Sequence, residues 1–418
     1  MSGFNLRLFV VLCVVCFLPS FFFVAFKASS LAAGLLLSCC IVLVVSGREM
    51  WGAEYRKKNF VFSSWLFFFM ILQSSYTYFI LGDSKPFFSL FSLLVMVLSA
   101  ISFSFHLKKM SHSELSGTLW VFVLLLLFIG WLKIFYSPDF FNYAMHLKAA
   151  FPFSEDSHLV LVAGFFFCVY AFFGGIYRCF FVFINMFLLS ILYPSLLLFL
   201  FVFLLLFILL MRVPPSIFKR VVLFMLPIVL FGVLAYANTV EYFASRLNFN
   251  DINEINNLTT LVFFQGWDLA YLNLLETNGV GMGFQMLGSS ETIMSSFTWS
   301  IMGLASGGRT LNLSDGGFLA AKVIAEFGIL GLLVVGFYIF WLFKMTFVIN
   351  RMHFCEKSSE ADLRYVLGVA FIFSFLIEMF FRGYGYFSPS LFFVMSAFPL
   401  LWGGHSGENL DISRCDNS

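Results

Sequence analysis

Long apolar runs separated by short polar breaks dominate the chain. A bilayer core of about 30 Å needs roughly 20 apolar residues in helix. Runs of that kind occur at 6–26, 28–45, 60–81, 86–105, 116–136, 221–238, 317–343, 365–381 and 388–403. Between 158 and 211 the chain carries one charge in 54 residues, Arg178. A single helix over 179–211 would be about 50 Å long at 1.5 Å per residue, too long for one crossing even when tilted. The stretch is therefore expected to form helices at about 158–176, 179–194 and 196–211, turning at Arg178 and at Tyr193-Pro194-Ser195.

Basic residues set the direction of threading, because cytoplasmic loops collect Lys and Arg. With the N-terminus inside, Arg48, Arg56, Lys57, Lys58, Lys108 and Lys109 fall inside, and three helices between 158 and 211 bring Arg212, Lys219 and Arg220 inside as well. Sixteen of the 24 Lys and Arg are then cytoplasmic and eight are external or near the outer face. The expected fold is an all-α polytopic membrane protein of about 12 transmembrane helices with both termini cytoplasmic. It divides into a bundle of about nine helices (1–238), a large external loop with an interfacial helix (239–316), and a three-helix segment with a cytoplasmic tail (317–418).

Composition removes the soluble alternative. The chain is 61% hydrophobic and 11% charged, against about 45–50% and about 25% for a soluble domain. Its 63 Phe residues read as lipid-facing bulk. A net charge of +2 points to no nucleic-acid partner. The first run ends at Lys27 with no small-residue cleavage site before it and reads as a retained helix. Cys13 and Cys16 have C-x-x-C spacing but lie inside an apolar run, where packing outweighs redox or zinc chemistry. The six His are scattered without partners at helical spacing, so no metal site and no cofactor are expected.

The large loop is the only extramembrane segment long enough to build a site. It holds seven acids, Glu241, Asp251, Glu254, Asp268, Glu276, Glu291 and Asp315, and two bases, Arg246 and Arg309. An external Arg runs against the orientation bias, and its forked donors suit a phosphate; a surface ion pair is the bland alternative. The run FQGWDLAYLNLLE (264–276) puts Phe264, Trp267, Tyr271 and Leu274 on one helical face and Gln265, Asp268 and Glu276 on the other, the pattern of a helix lying on the membrane. Trp267 reads as an interface anchor ahead of sugar stacking. The following NGVGMGF (278–284) alternates Gly279, Gly281 and Gly283, which suits positive φ or close approach to a ligand, or a plain turn.

Intramembrane charges mark the late helices. Lys322 and Glu326 stand four apart, as do Glu378 and Arg382 just before RGYGYFSPS (382–390), and each couple is expected to pair along its helix. With Asp315 and Arg309 they are expected to gather at one depth on the outer face, unless they serve as helix-packing contacts inside the bundle.

FFQGWDLAYLNLLETNGVGMGFQMLG (263–288) and DGGFLAAKVIAEFGILGL (315–332) resemble the Wzy-type O-antigen polymerase family, in the wider superfamily that includes the O-antigen ligases. The resemblance covers the whole chain in layout but only about 263–332 in motif. It implies a metal-independent glycosyltransferase of lipopolysaccharide biosynthesis in a bacterial inner membrane. A growing glycan would pass from undecaprenyl diphosphate to a new lipid-linked repeat unit at the periplasmic face, with a separate chain-length regulator as partner.

On that resemblance, Arg246, Arg309 and Arg382 would bind diphosphate with Lys322 in support. Asp315 would be the base, with Glu276 and Glu326 as reserves, and Trp267, Gly281, Gly283 and Tyr384 would lie where glycan or backbone approaches. Many relatives, ligases especially, carry an Arg upstream of the interfacial helix and a His at the end of the last external loop. This chain offers Gln265 and Asp315 there, which disfavours the ligase alternative. A lipid-linked oligosaccharide flippase would need polar groups along a central path and no large external loop, the reverse of this chain.

Overall fold

The computed structural model describes residues 3–28, 30–47, 56–135, 152–153, 155–192, 195–212, 258–289, 292–299, 313–352 and 360–402. The expected helix at 221–238, and Arg246 and Arg309, lie outside the described residues. All regular structure among the described residues is helical. The helices are α1 (Leu6–Phe26), α2 (Leu31–Ser46), α3 (Arg56–Leu81), α4 (Lys85–Lys108), α5 (His112–Phe135), α6 (Asp156–Phe173), α7 (Ile176–Leu192), α8 (Leu196–Arg212), α9 (Leu258–Glu276), α10 (Leu319–Met352), α11 (Glu360–Ser374), α12 (Leu376–Phe380) and α13 (Pro389–Trp402).

Six helical stretches among the described residues are long and apolar enough to cross a membrane, one of them, Leu363–Phe380, running through α11 and α12, and four more helices are apolar but shorter. The chain is thus a multi-pass α-helical membrane protein.

Local chemistry sets the breaks. The Asn5 side chain accepts from the Leu8 amide at the start of α1, and the helix stops at Lys27 in a left-handed conformation. Asp83 accepts from the Lys85 amide, and Pro86 opens α4, where a missing N–H costs nothing. Three helices fill 156–212, as the orientation count requires. The first turn between them falls at Gly174-Gly175 rather than Arg178. There the Arg212 guanidinium donates to the carbonyls of Ala171 (2.6 Å) and Gly174 (2.7 Å), satisfying the open end of α6.

Helix α6 is the centre of the bundle, buried along nearly all its length and packed by α5, α8, α11 and α13. Here the reading of Phe as lipid-facing bulk needs correction. Phe122, Phe165, Phe166, Phe371 and Phe393 are fully or almost fully buried. Phe166 meets Phe122 edge-on at 4.8 Å and Phe393 at 5.0 Å, and Phe371 lies 5.4 Å from Phe393. Without water to drive helices together inside a bilayer, association depends on packing. Interlocked rings supply large contact area with preferred edge-to-face geometry. Other Phe, such as Phe79 and Phe88, do face outward.

Candidate functional site

The site is built around an elbow in α10. Residues 319–352 are one helix except at Gly328, whose backbone (φ 58°, ψ −130°) is far from helical and open in practice only to glycine. Gly331 then crosses against the Val323 carbonyl. The first half-helix, 319–327, is buried on every side, whereas the continuation from Ile329 shows mostly apolar side chains to the exterior.

The alternating glycines dock onto this elbow. The Met282 and Gly283 amides donate to the carbonyls of Ala325 (3.0 Å) and Glu326 (2.8 Å), and the Ile329 amide donates to Gly279 (2.8 Å). Breaking the helix at Gly328 frees these groups, and the loop satisfies them. The close approach that the spacing predicted is therefore to another stretch of backbone. Gly281 has φ 84°, and a Cβ there would stand 2.5 Å from the Glu326 carbonyl oxygen. Gly281→Ala is expected to cost several kcal/mol through strain and clash combined, read as a fall in detergent-solubilised yield and in melting temperature. Gly283 lies against Thr77 of α3.

Lys322 and Glu326 do pair, at 3.4 Å. Both are buried, at 2% and 0% side-chain exposure, and their bonding capacity is used inside the protein. The Glu326 carboxylate accepts from the amides of Gln285 (3.0 Å) and Leu287 (3.1 Å). Lys322 donates to the Ser314 carbonyl and Gln285 Oε1, and its Nζ lies 5.2 Å above the Tyr386 ring. Such a group has no donor left for an external phosphate, and such a carboxylate has no open face for a sugar hydroxyl. The two tie the loops 279–287 and 313–316 to the half-helix.

The second expected pair does not form. Helix α12 ends at Phe380, so Arg382 leaves the helical face that carries Glu378. Arg382 reaches Glu155 at 3.6 Å, just ahead of α6. Glu155 also lies 3.9 Å from His158 Nε2, and the His158 ring sits 4.4 Å from Tyr384. The Gly383 amide donates to the Gly317 carbonyl at 3.0 Å, closing this loop onto the start of α10.

Asp315, half-buried, is where these threads meet. Burial raises its carboxyl above the ordinary range; Lys322, Arg382 and Lys85 pull it back down, and Glu155 pushes it up. Four segments distant in sequence, at 85, 155–158, 315–322 and 382–386, thus bring charge or rings to one locus.

No family model, curated protein or solved structure matches the chain.

Helix α9 runs along α10 with Trp267 and Tyr271 outward, 38% and 62% exposed. Trp267 also packs 5.0 Å from Phe318. Gln265, placed by sequence on the polar face with Asp268, is instead buried, because the face packed on Gly316–Phe318 includes Val262 and Gly266. Asp268 accepts from the hydroxyls of Ser295 and Thr298, both at 2.5 Å. Glu276 is exposed at the end of α9, ten residues or roughly 15 Å along the helix from Gly266.

Sequence reasoning missed Lys85, Glu155 and His158. Lys85 was within reach, since the orientation count already placed it outside. Glu155 and His158 sit at the cap and in the first turn of α6 with no local motif, more than 220 residues from Arg382.

Proposed function

We propose that the chain is an oligosaccharide repeat-unit polymerase of the O-antigen type, working at the periplasmic face of a bacterial inner membrane. The observation that carries this reading is the gathering of Arg382, Lys85 and Glu155 around Asp315, with His158 joined to the group through Glu155. The positive-inside rule puts every one of these residues on the external side of a 12-helix chain, without reference to their spatial proximity. Two independent lines thus agree on one face.

In the proposed reaction a sugar hydroxyl of the incoming lipid-linked repeat unit attacks the anomeric carbon of the growing glycan. The bond from that carbon to the diphosphate oxygen breaks, and undecaprenyl diphosphate leaves with the electron pair. Asp315 takes the hydroxyl proton. Arg382 and Lys85 face the negative charge that develops on the leaving group, together with Arg246 and Arg309 from the large loop. Lys322 and Glu326 hold the half-helix and its two loops in place around Asp315.

Clean deletion of the gene in a smooth bacterial strain is expected to leave lipid A core carrying a single repeat unit; bare core would sink the reading. Arg382→Ala is expected to strip the long rungs from the glycan ladder while the protein stays at wild-type level in the membrane, read by gel electrophoresis and immunoblot.

A further inference from the structure

Glu378 has no part in the reaction above, and its surroundings are unusual. The side chain is 2% exposed, and neither carboxylate oxygen meets a hydrogen-bond partner within bonding geometry among the described residues. The cation that sequence spacing offered it, Arg382, has gone to Glu155. The Ser388 and Ser390 hydroxyls and the Tyr384 amide face the carboxyl group instead, with the phenol rings of Tyr338 and Tyr384 nearby. Gly383 passes directly over it, close enough that a Cβ there would stand 3.2 Å from Glu378 Cγ.

All these neighbours except Tyr338 belong to one stretch, 383–390, and that stretch, with Arg382 just before it, supplies the outer site. Arg382 meets Glu155, the Gly383 amide meets Gly317, Tyr384 meets His158, and Gly385 lies beside Asp315. Ser388 starts α13 by accepting from the Leu391 amide at 3.0 Å. The loop is thus held from outside by charged and backbone contacts and underpinned from inside by one polar group. An acidic side chain inside a membrane protein is expensive to keep and by default marks function.

We propose that Glu378 is the positioning residue of this site: it sets the 382–386 loop from below and thereby aims Arg382 at Glu155 and Asp315. It touches no substrate. The proposal rests on the polymerase reading for its activity arm and on geometry alone for its second arm.

The activity arm uses the acid limb of elongation against pH in membrane vesicles, with the host's own lipid-linked repeat units as substrate. Arg382 lowers the Asp315 carboxyl, so losing its aim moves the limb to higher pH. Glu378→Ala is expected to shift the limb upward in the same direction as Arg382→Gln, and the double variant no further than Arg382→Gln alone. Glu378→Gln, which keeps the shape and an acceptor oxygen, is expected to stay at the wild-type limb.

The second arm needs no activity. Glu155→Cys with Arg382→Cys, joined by a short bifunctional thiol reagent, is expected to cross-link well with Glu378 present or replaced by Gln, and several-fold less with Glu378→Ala. Should Glu378→Ala fail to reach the membrane, Ser388→Ala with Ser390→Ala carries the same expectations. An unmoved limb with undiminished cross-linking overturns the proposal. Wild-type vesicles that elongate nothing overturn the polymerase reading instead, and the cross-linking arm then decides the role of Glu378 alone.

Discussion

Asp315→Asn is expected to lower chain elongation by about 10²–10⁴-fold, the usual contribution of a positioned proton acceptor, with no loss of protein from the membrane. The wild-type pH dependence follows in sign. The reaction needs the carboxylate, so rate rises with pH through the carboxyl's own titration. Burial lifts that titration above the ordinary carboxylate range, near 3.9 for a free Asp, and the acid limb of the rate profile should lie correspondingly high. Removing Arg382 removes a group that pulls the titration down, so in Arg382→Gln the limb moves to higher pH and the maximal rate falls too. A wild-type limb at or below the free-carboxylate range would exclude Asp315 as the group that titrates.

Glu326→Ala should be the most damaging substitution for assembly. It leaves Lys322 without its carboxylate and the Gln285 and Leu287 amides without acceptors, all in a place that water does not reach. Breaking one side of a buried ion pair costs about 3–5 kcal/mol, and each orphaned amide adds to that. The expected result is a large fall in melting temperature and loss of a monodisperse peak in detergent. Replacing both members, Lys322→Met with Glu326→Leu, removes the isolated charge and should recover part of the loss. A stable Glu326→Ala protein that has merely lost activity would instead return Glu326 to the reacting groups.

Much of the helical frame was readable because the signal is physical length: a run of about 20 apolar residues can be little else. The division of 158–211 into three helices was readable for a different reason, since the expected orientation of the basic residues asks for an odd number of helices there. The turn between its first two helices was misplaced by a few residues. Arg178 is the only charge in the stretch, whereas the chain bends at Gly174-Gly175, where backbone freedom outweighs polarity.

The site was half legible. Asp315, Lys322 and Glu326 announce themselves as charges in an apolar helix start. What each does depends on neighbours that spacing cannot supply. Four-residue separation correctly paired Lys322 with Glu326, because the helix continues between them. The same rule failed for Glu378 and Arg382, because the helix stops at Phe380 and the guanidinium swings to a different partner. Glu155 and His158 were invisible, since nothing in their own segment says that a loop far along the chain will fold against them. The alternating glycines showed the need for positive φ; only the folded chain shows that the partner is the broken backbone at Gly328.

That break also separates two mechanical roles usually combined in one transmembrane helix. Beyond Gly328 the helix from Ile329 to Met352 has 24 residues, about 36 Å at 1.5 Å per residue, long enough to span a bilayer core without the residues before the break. The nine residues before the break are clamped to α9 and the loops, out of contact with lipid. The elbow thus divides the labour of one helix: the lower shaft turns apolar side chains to the exterior, while the upper piece, fastened across the break by the Ile329–Gly279 and Gly283–Glu326 bonds, keeps Lys322 and Glu326 away from it.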